Sequence, residues 1–195
     1  MIRNTPTGYG AIAIAFHWTM ALLIIGMFIF GKYMHSLPPT DPSTFQLYQL
    51  HKSVGFVVLG LALLRIVWRL MNPAPKLPEG MHPLEKLAAH LGHIGLYTLM
   101  LAIPLSGWLL VSASPWGIPT IVFNTFEMPH LPIPALFGSP QDASDLFQEV
   151  HEALALFIMI LAGLHVAAAL KHHFISKDGV LKRMTSTQPA KEHLK

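Results

Sequence analysis

Cysteine is absent from this chain of 195 residues. That excludes disulfides, iron–sulfur clusters, thiolate-ligated heme and any heme attached through a cysteine. Charge is scarce too. Only 12% of residues are Asp, Glu, Lys or Arg, about half the share in an ordinary soluble domain. Neither internal repeats nor low-complexity segments interrupt the sequence. A cleavable signal is not expected either: Arg3 is followed by the polar stretch NTPTGYG, and no small-residue cleavage site follows the apolar run from Ala11 to Phe30.

What the chain does have is apolar length and imidazole. Hydrophobic residues make up 52%, in blocks too long for ordinary core helices. The expected class is an all-α integral membrane protein, a single four-helix membrane domain over residues 1–195. Twelve histidines without a cysteine leave imidazole as the obvious metal ligand. A formal charge of +3 does not point to nucleic acid, because the basic residues gather at predicted helix ends.

In chain order, the sequence predicts helices at roughly 11–33, 45–70, 87–111 and 146–173. Pro38, Pro39 and Pro42 break the chain after the first. The proline-rich stretch MNPAPKLPEGMHPLEK joins the second to the third and can hold a short interfacial helix from Pro83. Pro104 and Gly107 are expected to bend the third helix. An outer loop over 112–144 carries Trp116, Phe123, Phe126 and Phe137, which suit a membrane interface. A basic tail over 174–195 ends the chain. Eleven of the thirteen Lys and Arg residues, including Lys191 and Lys195, fall on one side; only Lys32 and Lys52 fall on the other. The positive-inside rule then puts both termini in the cytoplasm.

The fourth helix organises the rest. His151 and His165 are fourteen residues apart, which returns to within ~40° of one face and separates them by ~21 Å along the axis. One imidazole lies near each edge of a hydrocarbon layer ~30 Å thick. The remaining histidines sort by depth. His17 pairs with His165 on the inner side, and His51 pairs with His151 on the outer side. Each pair can bind an iron axially from two helices, and six-coordinate bis-imidazole heme has chemistry limited to electron transfer. Histidines that merely bridge helices by hydrogen bonds are the alternative, weakened by two such residues at this spacing with partners elsewhere. Two hemes, held without covalent attachment, are the cofactors expected.

Other residues carry two readings each. Gly55, Gly60, Gly163 and Ala167–Ala169 can admit a porphyrin or simply pack helices. Arg65 and Arg69 share a face and can meet inner-heme propionates or anchor the helix at the membrane surface. Lys52, beside His51, can meet an outer propionate. His172, one heptad beyond His165, can donate a proton or hydrogen bond to a quinone; with Lys171 it can equally be a cation favoured at a helix C-terminus. His90 and His93 start the third helix and suit the interface, a headgroup or a quinone. His35 and His130 belong to outer loops, His82 and His193 to the inner side.

Several ordered stretches carry a resemblance: AFHW at 15–18, LHKSVG at 50–55, RIVWR at 65–69, GHIGLY at 92–97, IPLSGW at 103–108, HEALA at 151–155, GLHVAAALKHHF at 163–174 and KDGVLKRM at 177–184. They touch all four helices and the tail, and as a set they resemble the prokaryotic cytochrome b561 family. The resemblance implies a four-helix inner-membrane bundle with two b hemes, ligated at His17, His51, His151 and His165. It further implies electron exchange with the quinone pool, and ubiquinone as a candidate bound molecule. At least one type of member oxidises superoxide and passes the electron to ubiquinone. Here the outer side sets Lys32 and Lys52 against Asp41, Glu127, Asp142, Asp145, Glu149 and Glu152. A net negative face steers an anion poorly, so a cationic or protein redox partner in the periplasm is the competing expectation.

The leading expectation is transmembrane electron transfer in the bacterial inner membrane, with the lipid bilayer and a quinone as partners and no nucleic acid. A superoxide:ubiquinone oxidoreductase is the enzymatic alternative. A heme-bearing anchor subunit for a redox partner and a histidine-lined metal transporter are the others. A homo-oligomer stays open.

Overall fold

The computed structural model describes residues 1–38, 40–78 and 80–187. Pro39, Lys191, His193 and Lys195 from the sequence reading lie outside the described residues. Four long helices dominate: α1 (Ala11–His35), α2 (Pro42–Met71), α3 (Pro83–Ala113) and α4 (Pro140–Lys171). All four are long and apolar enough to cross a membrane. Large apolar side chains such as Leu22, Leu63 and Leu164 are exposed along them, as lipid-facing residues should be.

Three helices start earlier than their apolar runs suggest. In each, proline is the first helical residue, where its missing N–H is harmless. Asp41 precedes Pro42 and accepts from the Ser43 amide at 2.8 Å and the Ser43 hydroxyl at 2.7 Å. Those bonds hold its carboxyl below the usual range. Ser139 precedes Pro140 and forms a reciprocal capping box with Asp142. The Asp142 amide donates to Ser139 Oγ at 3.2 Å, and the Ser139 amide donates to Asp142 Oδ2 at 3.0 Å. His82 precedes Pro83 and accepts from the Leu84 amide through Nδ1 at 3.3 Å. Pro83 therefore opens α3 itself and not a separate interfacial helix. The apolar run begins several residues later because the first turns of these helices are polar or mixed.

The expected loop over 112–144 contains a small antiparallel hairpin, β1 (Thr120–Val122) with β2 (Phe126–Met128), in the register Thr120 to Met128. Phe123 and Asn124 both have positive φ at its tip, which the tight turn of a hairpin requires. Beyond α4, a π-helical turn (His172–Ser176) leads to Lys177 in the left-handed region and then to α5 (Lys182–Thr185).

The chain divides into two compact units. The first holds the described residues of 1–21, 61–97 and 159–187. Its N-terminal arm is tied down by Asn4, whose Nδ2 donates to the Asn72 carbonyl at 3.0 Å, and within α1 Trp18 Nε1 donates to the Met184 carbonyl at 2.9 Å. Met20 and Ala62 form its buried centre. The second unit holds 22–60 and 98–158. Ala113, Ala143 and Phe147 pack with Leu109, Leu110, Ile133 and Phe137 in its core.

Candidate functional site

In the second unit, α2 supplies His51 and α4 supplies His151. Their ring centroids are 6.3 Å apart, with planes at 79°. Both line a cavity of about 410 Å³ whose walls include Met27, Phe28, Phe56, Leu99, Ile103 and Trp108. That volume and apolar lining suit a bound organic group. Phe30 stacks on His51 at 6.0 Å. Two glycines seat the rings. A Cβ on Gly31 would lie 3.3 Å from His51 Cε1, and one on Gly107 would lie 3.1 Å from His151 Cε1.

Hydrogen bonds set the ring chemistry. A carbonyl only accepts, so His151 Nδ1 donates to the Ile103 carbonyl at 3.0 Å. Ser106 Oγ lies 3.1 Å from the same nitrogen and donates to the same carbonyl at 2.8 Å. The His151 proton is thereby held on Nδ1, leaving the Nε2 lone pair for a metal. His51 Nδ1 is buried and has no partner among the described residues.

Lys52 also lines this cavity, and its ammonium donates to Thr120 Oγ1 at 3.4 Å. Its helical neighbours strap the hairpin to α2. Gln49 Nε2 donates to the Pro119 carbonyl at 2.8 Å, and the Phe123 amide donates to Ser53 Oγ at 3.0 Å. Gly55 lines the cavity as well; Gly60, Gly163 and Ala167–Ala169 do not.

In the first unit, α1 supplies His17 and α4 supplies His165, with ring centroids 6.1 Å apart. His93 of α3 meets the edge of His165 at 5.5 Å. The sequence suggests the interface, a headgroup or a quinone for His93; the structure brings it into this cluster. Arg65 is held by three contacts: Nη2 to His17 Nδ1 at 3.2 Å, Nη1 to the Phe16 carbonyl at 3.3 Å and Nε to the Tyr97 hydroxyl at 3.3 Å. Arg65 and Arg69 both lie over the Tyr97 ring at 5.4 Å. Burial raises the phenol of Tyr9 above its usual value, and the nearby Arg69 charge opposes that rise.

His172 is buried at the start of the π-helical turn, a feature frequent at functional sites. Its Nδ1 donates to Asp178 Oδ2 at 2.6 Å, and its Nε2 is 3.9 Å from Glu85 Oε2. Lys171 pairs with the other Glu85 oxygen at 2.5 Å. His90 donates back to the Lys86 carbonyl at 2.6 Å.

Two imidazoles on opposite faces of one metal, each bonded at about 2 Å with a ring radius of about 1 Å, have centroids about 6 Å apart. Both histidine pairs meet that spacing. Together with the buried His51 Nδ1, the apolar cavity and the glycine seats, the second-unit residues fit an axially ligated heme. The first-unit pair fits by its separation and by the two guanidiniums beside it, which can meet propionates.

Comparison with known proteins gives the family. A family model described as prokaryotic cytochrome b561 matches residues 8–187. The chain is 38% identical to cytochrome b561 homolog 2 of Escherichia coli, covering 93% of each chain. It is 32% identical to the probable superoxide oxidase CybB of Yersinia pestis, over 90% of this chain and 94% of that one. Cytochrome b562 of Cereibacter sphaeroides is 31% identical, over 91% and 94%.

Proposed function

Because this chain belongs to the prokaryotic cytochrome b561 family, a family of membrane electron-transfer proteins that implies heme b, we propose that it carries electrons across a bacterial inner membrane. It does so through two b hemes. His51 and His151 hold one; His17 and His165 hold the other. The observation that carries this reading is the pair of ring-centroid separations, 6.3 and 6.1 Å, made by histidines from three helices. The first unit, which holds the N-terminus and the last described residues, has nine described basic residues, Arg3 to Arg183, while the other has Lys32 and Lys52. That asymmetry supports cytoplasmic termini.

When bound, heme supplies one-electron iron chemistry. The residues do the rest. With heme bound, the two imidazoles of each pair would hold its iron and leave no open site for oxygen. Ile103 and Ser106 fix the tautomer of His151. Gly31 and Gly107 let the rings stand against helix backbone. Lys52 in one unit, and Arg65 and Arg69 in the other, are cations suited to propionates. His172, oriented by Asp178, holds a proton where a quinone can take it up on reduction. A homo-oligomer is compatible with this reading and is not required by it.

Reconstitution tests it. Proteoliposomes with ferricyanide trapped inside, exposed to an impermeant reductant outside, should reduce the trapped acceptor. Substituting either member of either pair, His17→Ala or His151→Ala for example, should stop the transfer. Undiminished transfer in both variants would remove the two-heme path.

A second reading has its own support. One relative is named a probable superoxide oxidase, and Lys32 and Lys52 both line the second unit's cavity. Superoxide oxidation with quinone as acceptor is then the activity proposed. Glu152 lines the same cavity, and the surrounding acidic residues work against an anion. Stopped-flow mixing with superoxide distinguishes the cases. Millisecond heme reduction that is slowed in Lys32→Gln/Lys52→Gln favours the oxidase; no reduction leaves a periplasmic redox partner as donor.

A further inference from the structure

Given two hemes held as proposed above, we infer that their irons differ in reduction potential, the His17/His165 iron being the more easily reduced, and that Arg65 sets the difference. The two units place different groups beside their ligands, a cation beside His17 and a carbonyl beside His151. A guanidinium has five N–H donors and no acceptor, so His17 Nδ1 accepts from Arg65 at 3.2 Å. In the other unit His151 Nδ1 donates to a carbonyl at 3.0 Å. Donation to a carbonyl makes an imidazole more electron-rich and favours ferric iron. A cation beside the ring favours ferrous iron.

Fixed charges act in the same direction. Arg65 and Arg69 flank Tyr97, and neither makes an ion pair among the described residues. Around His51 and His151, Lys32, Lys52 and Glu152 line the cavity, a balance of one positive charge against the two guanidiniums of the other unit. Each porphyrin brings the same two propionates, which therefore cancel in the comparison. A ring that ligates through Nε2 keeps its proton on Nδ1, so Arg65 must give up that one contact when iron binds. Its other two nitrogens are held by the Phe16 carbonyl and the Tyr97 hydroxyl, so its charge stays beside the site. Net charge and hydrogen bonding around the iron are the levers by which a protein tunes heme potential. Transfer from the His51/His151 site to the His17/His165 site is then the downhill direction.

The test is potentiometric titration of the purified holoprotein in lipid nanodiscs, followed in the heme visible bands, with pyridine-hemochrome counting of the same samples. Two midpoints are expected. His51→Ala should keep only the higher, and His17→Ala only the lower. Arg65→Gln should move the higher midpoint down and leave the lower in place, and Arg65→Lys should restore most of the loss. If Arg65→Gln sheds heme, Arg69→Gln takes its part and should lower the same midpoint by less. Retention of the lower midpoint in His51→Ala overturns the assignment. So does an arginine variant with both hemes and unmoved midpoints. Fewer than two hemes in the unaltered protein removes the two-heme reading itself, whatever the potentials.

Discussion

A Cβ placed on Gly107 would lie 3.1 Å from Cε1 and 3.3 Å from Nδ1 of His151. The ring of a proposed ligand thus rests on a bare stretch of α3 backbone. Gly107→Ala should push that ring off its seat and away from the Ile103 carbonyl. Overpacking of this kind destabilises by about 1–3 kcal/mol. We expect loss of one of two low-spin heme signals in electron paramagnetic resonance, the other being retained. Gly31→Ala, with 3.3 Å to His51 Cε1, should affect the same signal more mildly.

Glycine at this position was legible in the sequence, had one step been applied to every helix. His151 and His165 are fourteen residues apart, and that interval recurs in His17 and Gly31, in His51 and Arg65, and in His93 and Gly107. Each helix therefore offers one residue to each site. The histidines stand out by residue type, whereas glycine and arginine in apolar helices have common structural roles, so their part shows only once the rings are placed. The helix starts at Pro42, Pro83 and Pro140 were written in the capping residues before them, but the apolar pattern begins later. The hairpin at 120–128 was not legible. Its strands are three residues long, and what holds it is a set of side chains distant in sequence, Gln49 and Ser53.

Ser53 is fully buried and accepts from the Phe123 amide at 3.0 Å. Ser53→Ala leaves that amide without its partner, a loss of about 1–3 kcal/mol. Hydrogen exchange across residues 119–128 should quicken by about tenfold or more, since each 1.4 kcal/mol is about tenfold. Unchanged protection there would mean that the strap does not hold the hairpin.

His172 and Asp178 are bonded at 2.6 Å and are proposed to serve quinone chemistry. General acid catalysis contributes about 10²–10⁴-fold, so His172→Gln should lower steady-state quinone reduction by at least about 10²-fold. Asp178→Asn should lower it by about 10–100-fold, as for a group that orients another. Neither should change the heme spectrum or count. Turnover equal to that of the unaltered protein in His172→Gln would place the proton donor elsewhere.

Heme counting on purified, membrane-extracted protein tests the whole account most directly. The pyridine-hemochrome spectrum should give two b hemes per chain. It should give one in His51→Ala and one in His17→Ala, with the surviving low-spin signals differing between the two variants. A single heme in the unaltered protein, or identical surviving signals, would contradict two iron sites sharing one helix.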